Sequence, residues 1–301
     1  MSGRPGSSAK RRILLAGVVC GIGIVLVLLT YSFFIEPDRL IVNNQSIELQ
    51  SSSEFIRNLK IVVWSDLHAG SEFIDTDKIE KVVELTNQQK PDLVFLLGDF
   101  VSQVRGTSEP RPLNFPIEKA AKILGGLKAR NGVFAVIGNH DDWYDREAVT
   151  SELTSAGIKV LFDSVEEVAI DGGSISLIGL RDFLSIGNEA EYAARIKELG
   201  SKSMSKDLIV LAHNPDSLEL MIRKSSVPSN TRLFLAGHTH GGQVWLPLLG
   251  RPIVPSNYGQ KYAAGRGEAG GVKFFVTTGI GTSLLPVRFM VPPEIAVLEF
   301  K

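Results

Sequence analysis

Cysteine, histidine and net charge are all scarce in this chain. Its 301 residues include one cysteine and five histidines, and 32 basic side chains stand against 33 acidic ones. A lone cysteine cannot close an intrachain disulfide, and it excludes thiolate clusters such as zinc fingers. Without a basic excess the chain cannot bind nucleic acid by neutralising phosphates, so no nucleic-acid partner is expected. An apolar fraction of 44% also excludes a disordered chain.

Charge is missing altogether from residues 13–35, which read ILLAGVVCGIGIVLVLLTYSFFI. At about 1.5 Å per residue, a helix of this length crosses a hydrocarbon core about 30 Å thick. A buried core helix is rarely so long and uniformly apolar. A signal peptide that is cleaved would have a shorter run, followed by small residues rather than by Phe33 and Phe34. The run therefore predicts an uncleaved transmembrane anchor that contains Cys20.

Charges on the two sides of this run predict its orientation. Lys10, Arg11 and Arg12 precede the run, and acidic residues follow it at Glu36 and Asp38. The basic side of a span stays in the cytoplasm, so the rest of the chain is expected on the extracytoplasmic side of a single-pass membrane protein. These features divide the chain into a cytoplasmic basic stub (1–12), a transmembrane anchor (13–35), a connector (36–59) and one large domain (60–301).

The large domain alternates between short apolar runs and helical patterns. Helices are expected after Thr76 and after Pro116, and a hairpin is expected at Asp171-Gly172-Gly173. Alternation of strands and helices places the domain in the α/β class. The predicted strands are residues 61–64, 93–97, 133–137, 208–212 and 233–236, with two late strands at 274–278 and 295–300.

Each of the first five strands runs directly into a polar cluster. The clusters are Ser65-Asp66-Leu67-His68, Gly98-Asp99, Gly138-Asn139-His140-Asp141, His213-Asn214 and Gly237-His238-Thr239-His240. Taken singly, each is more often a turn, a helix cap or a buried histidine than a site. Together they contain all five histidines of the chain, and ligand sites of α/β sheets lie beyond the carboxyl ends of strands. The clusters are therefore expected to converge on one site.

The donor types in these clusters predict metal binding. Imidazole and carboxylate groups without thiolate suit Mn, Fe or Zn better than Ca or Cu(I). Two metal ions about 3.5–4 Å apart need a bridging anion. Asp99 is the natural bridge, because the preceding Gly98 lets the backbone come close. The remaining ligands then divide into two sets.

The order D-x-H, G-D, G-N-H-D, H and G-H-x-H, each after a strand, resembles that of the calcineurin-like metallophosphoesterases over residues 60–301. Residues 254–256, 262–265 and 281–288 also resemble its bacterial membrane-anchored phosphodiesterase branch. The resemblance implies a four-layer α-β-β-α sandwich preceded by the transmembrane helix. It implies that one metal is bound by Asp66, His68 and His240 and the other by Asn139, His213 and His238. Asp99 would bridge the two metals, and His140 would be a catalytic histidine placed over the substrate.

The resemblance also implies hydrolysis of a phosphodiester. Two divalent cations would lower the pKa of a bridging water, so that hydroxide attacks phosphorus while His140 serves as a candidate general acid. The Asp-Arg-Gly stretch of the protein-phosphatase members is absent, since Asp99 is followed by Phe-Val-Ser-Gln. This absence argues against a protein phosphatase and leaves His140 without an identified partner.

Several alternatives stay open. The chain can be a phosphomonoesterase on a small substrate, a metal-dependent amidohydrolase or a non-catalytic surface protein stabilised by metal. The substrate of a phosphodiesterase can be lipid-linked, envelope-associated or small and soluble, and the metal identity and oligomeric state are not specified. Asp141 can orient a loop or a ring, or simply cap a turn. Arg105, Arg181 and Arg288 are expected to be solvated or in salt bridges.

Overall fold

The computed structural model describes residues 7–49, 53–102 and 113–301. The start of the predicted stub (1–6), and Gln103 and Arg105, therefore lie outside the described residues. The helices are α1 (Ser7–Thr30), α2 (Thr76–Gln88), α3 (Ile117–Leu124), α4 (Asn139–Tyr144), α5 (Arg146–Ser155), α6 (Glu189–Lys202) and α7 (Asp216–Arg223). The strands are β1 (Ile41–Ile47), β2 (Lys60–Trp64), β3 (Leu93–Leu96), β4 (Val133–Ala135), β5 (Lys159–Val160), β6 (Ser164–Ile170), β7 (Gly173–Gly179), β8 (Leu208–Leu211), β9 (Thr231–Ala236), β10 (Gly265–Ala269), β11 (Val272–Val276) and β12 (Glu294–Phe300).

The predicted N-terminal apolar helix is present. Helix α1 continues through a π-helical turn at Tyr31–Ile35 and a 3-10 turn at Glu36–Asp38. The segment Arg11–Asp38 is long and apolar enough to cross a membrane, and its most apolar stretch is not buried against the rest of the protein. Helix α1 therefore contributes nothing to the core of the domain that follows.

The strands form two six-stranded sheets. The first has the order β1-β12-β2-β3-β4-β5, and the second has the order β10-β11-β9-β8-β7-β6. Strands β2 to β5 are parallel in the first sheet, and β7, β8, β9 and β11 are parallel in the second. Because neighbouring parallel strands end at the same edge, the loops after β2, β3 and β4 lie side by side, and so do those after β8 and β9.

Alternate residues of each strand pack on opposite sides of its sheet. Val63 and Phe95 of the first sheet share a buried cluster with Leu211 and Leu235 of the second, so the two sheets pack face to face. Their neighbours Val62 and Leu96 pack outward against α2, α3 and α5. Val210 and Phe234 pack outward in the same way against α6 and α7. The predicted α/β fold with four layers is confirmed.

The segment predicted as a connector contributes to the first sheet. Strand β1 pairs in parallel with β12 from Ile41 to Ile47, and Ile56 in the following 3-10 turn is buried. The sequence gives only a weak strand signal here, because polar Asn43, Asn44 and Gln45 occupy the middle of an edge strand. The predicted hairpin is present, since β6 and β7 pair antiparallel across Asp171-Gly172.

Candidate functional site

All eight residues predicted for the site lie together beyond the strand ends. They are contributed by the loops after β2, β3, β8 and β9 and by the start of α4, which follows β4. Three overlapping groups among them have donor atoms close enough to hold a metal ion. The residues are Asp66, His68, Asp99, Asn139, His140, His213, His238 and His240.

The first cluster consists of Asp66, His68 and His240, which are all buried. The Nε2 atoms of His68 and His240 are 3.1 Å apart. His240 Nε2 is 3.4 Å from Oδ1 of Asp66. That oxygen is buried and has no hydrogen-bond partner among the described residues, whereas Oδ2 accepts from the backbone N–H of His238. An unpartnered buried carboxylate oxygen directed at two imidazoles is what a cation site requires.

The second cluster consists of Asn139, His213 and His238. His213 Nε2 is 3.2 Å from the amide oxygen of Asn139 and 3.2 Å from Nδ1 of His238. Donor atoms about 3.4 Å apart are expected where four ligands surround an ion at about 2.1 Å, so both clusters have the dimensions of a coordination shell.

Asp99 lies between the two clusters. Its Oδ2 atom is 3.1 Å from His213 Nε2 and 3.7 Å from His68 Nε2, so one oxygen reaches both groups. Oδ1 accepts the backbone N–H of His140 at 2.8 Å. A Cβ atom at Gly138 would overlap the Asp99 carboxylate, so only glycine fits there.

Backbone carbonyls fix the orientation of three histidine rings. The Nδ1 atoms of His68, His240 and His213 lie 3.3, 3.3 and 2.7 Å from the carbonyl oxygens of residues 101, 281 and 97. A carbonyl only accepts, so each Nδ1 carries the proton, and Nε2 of a neutral ring presents a lone pair. In the first cluster two such lone pairs point at each other. This donor set fits a cation and does not fit a hydrogen bond.

The ionisation states of three of the candidate histidine ligands agree with this interpretation. Burial lowers the pKa of His68, His238 and His240 to about 3, so these rings are neutral at physiological pH, as metal ligands must be. For His213, burial alone would lower the pKa, but the adjacent Asp99 carboxylate outweighs burial and raises the pKa well above its usual value, so metal binding at this ring would release a proton. The pKa of Asp99 is correspondingly lowered: burial raises it, and the charge of His213 outweighs that effect.

Five of the candidate ligands have left-handed backbone conformations. The φ angles of Asp66, His68, Asp99, His238 and His240 are 55°, 48°, 57°, 68° and 49°. This region costs an L-residue about 1–2 kcal/mol, and such residues concentrate at functional sites. The left-handed turns bend the chain sharply at the strand ends, where the ligand side chains converge.

His140 differs from the candidate ligands in its surroundings. Its side chain is 14% exposed, and Nε2 is 4.0 Å from Oδ2 of Asp99. The ring packs edge-on to His68 at 4.6 Å between centroids and lies 4.8 Å from the Trp143 ring. Nδ1 has no hydrogen-bond partner within residues 7–49, 53–102 and 113–301. His140 is thus held by packing and is partly open to solvent.

Asp141 holds two of the site loops together. Its carboxylate accepts the backbone N–H groups of Asp99, Phe100 and Val101 at 2.9, 2.8 and 3.1 Å, and that of Gly138 at 3.0 Å. Burial and the nearby Asp99 charge raise the pKa of Asp141 to about 7, while the N–H donors oppose this shift. The structure supports two of the roles considered from the sequence, because Asp141 orients the loop after β3 and also caps the first turn of α4 through the N–H of Gly138.

Arg288 is fully buried, so the expectation of a solvated or salt-bridged side chain is wrong. Its guanidinium donates to the carbonyls of Val291, Thr278 and Gly281 at 3.0, 2.8 and 2.5 Å. Burial lowers its pKa to about 10. Because the Gly281 carbonyl also accepts from His240, Arg288 supports the loop behind a candidate ligand. Arg181 does form its expected salt bridge, with Asp163.

Sequence reasoning did not single out Asp182, a carboxylate after β7 whose charge acts on the candidate ligand His213. Its side chain is buried, and Oδ1 has no hydrogen-bond partner in the described part of the chain. Burial raises its pKa to about 6. Its position shortly after a strand of the second sheet could have indicated this residue. The loop after β7 contains no histidine, however, so the pattern of histidine-bearing loops did not include it.

We expect Asp141→Asn to destabilise the protein by about 2 kcal/mol or more, because an amide cannot accept four N–H groups and leaves buried donors unpaired. The measurement is the free energy of unfolding in denaturant. The control is Asp142→Asn, since Asp142 makes a weaker contact with Arg146 at 3.4 Å. Equal stability of the two variants would contradict the loop-holding role.

Comparisons with known proteins agree with this geometry. Residues 59–242 match the calcineurin-like phosphoesterase family. The chain is 30% identical to the uncharacterized metallophosphoesterase YkuE of Bacillus subtilis, over 90% of this chain and 89% of that protein. It is 34% identical to the phosphodiesterase YaeI of Escherichia coli, over 80% of this chain and 81% of that protein.

A transmembrane protein with a metallophosphoesterase domain from Danio rerio is 26% identical over 88% of this chain and 58% of its own length. The match of the family over residues 59–242 covers all eight residues of the candidate site. The chain belongs to the calcineurin-like phosphoesterase family and is a metal-dependent hydrolase of phosphoric esters.

Proposed function

We propose that this protein hydrolyses a phosphodiester with the aid of two divalent metal ions. The observation that supports it most directly is the shared Oδ2 atom of Asp99, which lies within 3.7 Å of a ligand nitrogen in each cluster. A carboxylate in this position keeps two like charges close together, which a structural site for a single ion does not need.

We infer the ligands from the donor set. Asp66, His68 and His240 would hold one ion, Asn139, His213 and His238 would hold the other, and Asp99 would bridge them. Mn, Fe and Zn all suit these donors. When bound, two such ions supply a hydroxide nucleophile at neutral pH and offset the charge of the phosphoryl oxygens.

His140 is the proposed catalytic residue supplied by the chain itself. It is partly exposed, and its Nε2 atom is near the shared Asp99 oxygen without being close enough for a hydrogen bond. A proton held on this ring can pass to the leaving oxygen of the ester. Packing against His68 and Trp143 holds the ring in place. These contacts orient the histidine, as the aspartate of the absent Asp-Arg-Gly stretch would otherwise do.

The charges around the site favour a diester over a monoester. A monoester carries a second negative charge, and arginine is the usual side chain that pairs with such a group. Of the three arginines considered from the sequence, the two that the structure describes are engaged elsewhere: Arg288 donates to backbone carbonyls and Arg181 pairs with Asp163. The relative YaeI is named a phosphodiesterase, in agreement with this preference.

We further propose that α1 is a single-pass anchor with the catalytic domain on the extracytoplasmic side. Lys10, Arg11 and Arg12 lie at its N-terminal end, and the segment through Asp38 is long enough to cross. This location gives access to lipid-linked or envelope-associated phosphodiesters, while a small soluble diester is the alternative substrate. The two are distinguished by assaying both classes.

Asp99→Asn should lower the rate of hydrolysis of bis-p-nitrophenyl phosphate at least about 100-fold, because the bridging charge is lost. The assay uses the full chain in detergent, loaded with Mn, together with metal analysis. Asp77→Asn, on the exposed face of α2, is the matched control and should keep full activity. Full activity of Asp99→Asn would exclude the proposed two-metal site.

His140→Gln should retain its metal and lose turnover by a factor that depends on the leaving group. A general acid contributes roughly 10²–10⁴ when the leaving oxygen is basic, and much less when p-nitrophenolate leaves. The test compares an alkyl diester with bis-p-nitrophenyl phosphate. An equal loss with both substrates would show that His140 does not protonate the leaving oxygen.

The orientation can be tested with a single cysteine. Met204 is 81% exposed, so Met204→Cys in a Cys20→Ala background should react with a membrane-impermeant maleimide in intact spheroplasts. Reaction only after lysis would reverse the proposed topology.

A further inference from the structure

The end of the N-terminal helix is fixed to the catalytic domain. The backbone N–H of Arg288 donates to the carbonyl of Ser32 at 3.0 Å, and that of Met290 donates to the Glu36 carboxylate at 2.7 Å. The rings of Tyr31 and Phe289 meet edge-on at 6.5 Å between centroids. Ser32 and Glu36 are both buried in these contacts. The helix therefore leaves the domain at the loop that contains residues 288–290.

Exposed apolar side chains concentrate beside this point. We define the apolar rim as six exposed residues of two loops, whose side chains are between 49% and 104% exposed. They are Leu248, Leu249, Ile253, Leu284, Leu285 and Met290. Among the described residues after Ile35, the other exposed large hydrophobic side chains are Tyr258, which ends the first of these loops, and Leu184 and Met204, which lie elsewhere in the sequence. A concentration of this kind marks a contact surface.

Both loops of the rim are attached to the chain that follows the candidate ligand His240. The N–H of Trp245 donates to the carbonyl of Phe289 at 2.9 Å. The side-chain amide of Gln243 donates to the carbonyl of Val287 at 3.2 Å. Arg251 Nε donates to the carbonyl of Gly241 at 2.7 Å. The rim is thus built around the segment that connects the metal site to the end of the helix.

The composition of the two loops suits a lipid surface. Residues 243–258 and 282–293 contain no Asp or Glu, although the chain has 33 acidic residues. Each loop has a single arginine, and that of the second loop, Arg288, is buried. An exposed apolar surface without carboxylates can enter the interfacial region of a bilayer without burying an unpaired negative charge.

We propose that the apolar rim lies in the interface of the same bilayer that α1 crosses, so that the metal site is held at the membrane surface. This inference rests on the proposed membrane anchoring. The partner is the lipid bilayer, because the rim continues directly from the end of the only helix among the described residues that is long and apolar enough to span it. The substrate class that fits this position is a phosphodiester carried on a membrane lipid.

The test uses full-length protein in phosphatidylcholine–phosphatidylglycerol vesicles. Leu249→Cys, Leu284→Cys and Met204→Cys are each made in a Cys20→Ala background and are labelled in detergent with an environment-sensitive fluorophore. Native Cys20, the single cysteine of the chain, reports on the anchor. Lipids with a nitroxide near the headgroup are then included as quenchers for positions 204, 249 and 284, and lipids with a nitroxide on the acyl chain are included as quenchers for position 20, which lies inside the predicted span.

Quenching by about twofold or more at positions 249 and 284, with little change at 204, is the expected result for residues at headgroup depth. Met204 is the matched control because its exposure, 81%, is close to the 78% of Leu249. Quenching at position 20 without quenching at 249 and 284 would overturn the rim alone. Failure of the acyl-chain nitroxide to quench at position 20 would overturn the anchoring as well.

Two further readouts separate the remaining outcomes. Label-to-label contact between copies at 249 or 284, without quenching by lipid, would assign the rim to self-association and overturn the proposal. Hydrolysis of bis-p-nitrophenyl phosphate by the same variants is measured in parallel. If the unlabelled protein without substitutions does not hydrolyse this substrate, the proposed function is refuted, whatever the position of the rim.

Discussion

The site depends on one carboxylate shared between two groups of histidines. Asp99 is buried, and a carboxylate can be held in such a place only with compensating partners. It has them in His213, in the backbone N–H of His140 and in the first cluster at 3.7 Å. The face-to-face packing of the sheets serves this arrangement, because it brings the ends of β2, β3 and β4 against those of β8 and β9.

The remaining polar groups of the site support this centre. The Asp141 carboxylate accepts hydrogen bonds from the loop after β3 and from the residue before α4. These bonds hold Asp99 and Asn139 at a fixed separation. Backbone carbonyls set the tautomers of the histidines, so the ligand lone pairs are oriented before any ion binds. The left-handed φ angles at the candidate ligands reduce the local stability of the backbone, and they allow the ligand side chains to converge.

Much of this arrangement could be predicted from the sequence. The strands have strong apolar patterns, each ends in a recognisable polar cluster, and the histidines occur nowhere else. The unpredicted features depend on contacts between distant residues. Strand β1 has a polar centre and is stabilised by β12, which follows more than 200 residues later. The contacts of Arg288 are different: its four carbonyl partners lie within ten residues of it in the sequence, but they surround the guanidinium only because the chain loops back, and no residue pattern predicts that loop.

The position of Arg288 has a mechanical consequence. Its backbone N–H is bonded to Ser32 at the end of the helix, and its guanidinium is bonded to the Gly281 carbonyl that also orients His240. Ser32 and His240 are thus linked through one side chain and a few hydrogen bonds. A tilt or displacement of the helix end would be transmitted to the histidine through rigid, buried contacts. The end of the helix and the loop behind His240 therefore share one buried side chain, and the orientation of the helix is coupled to the direction in which the site opens.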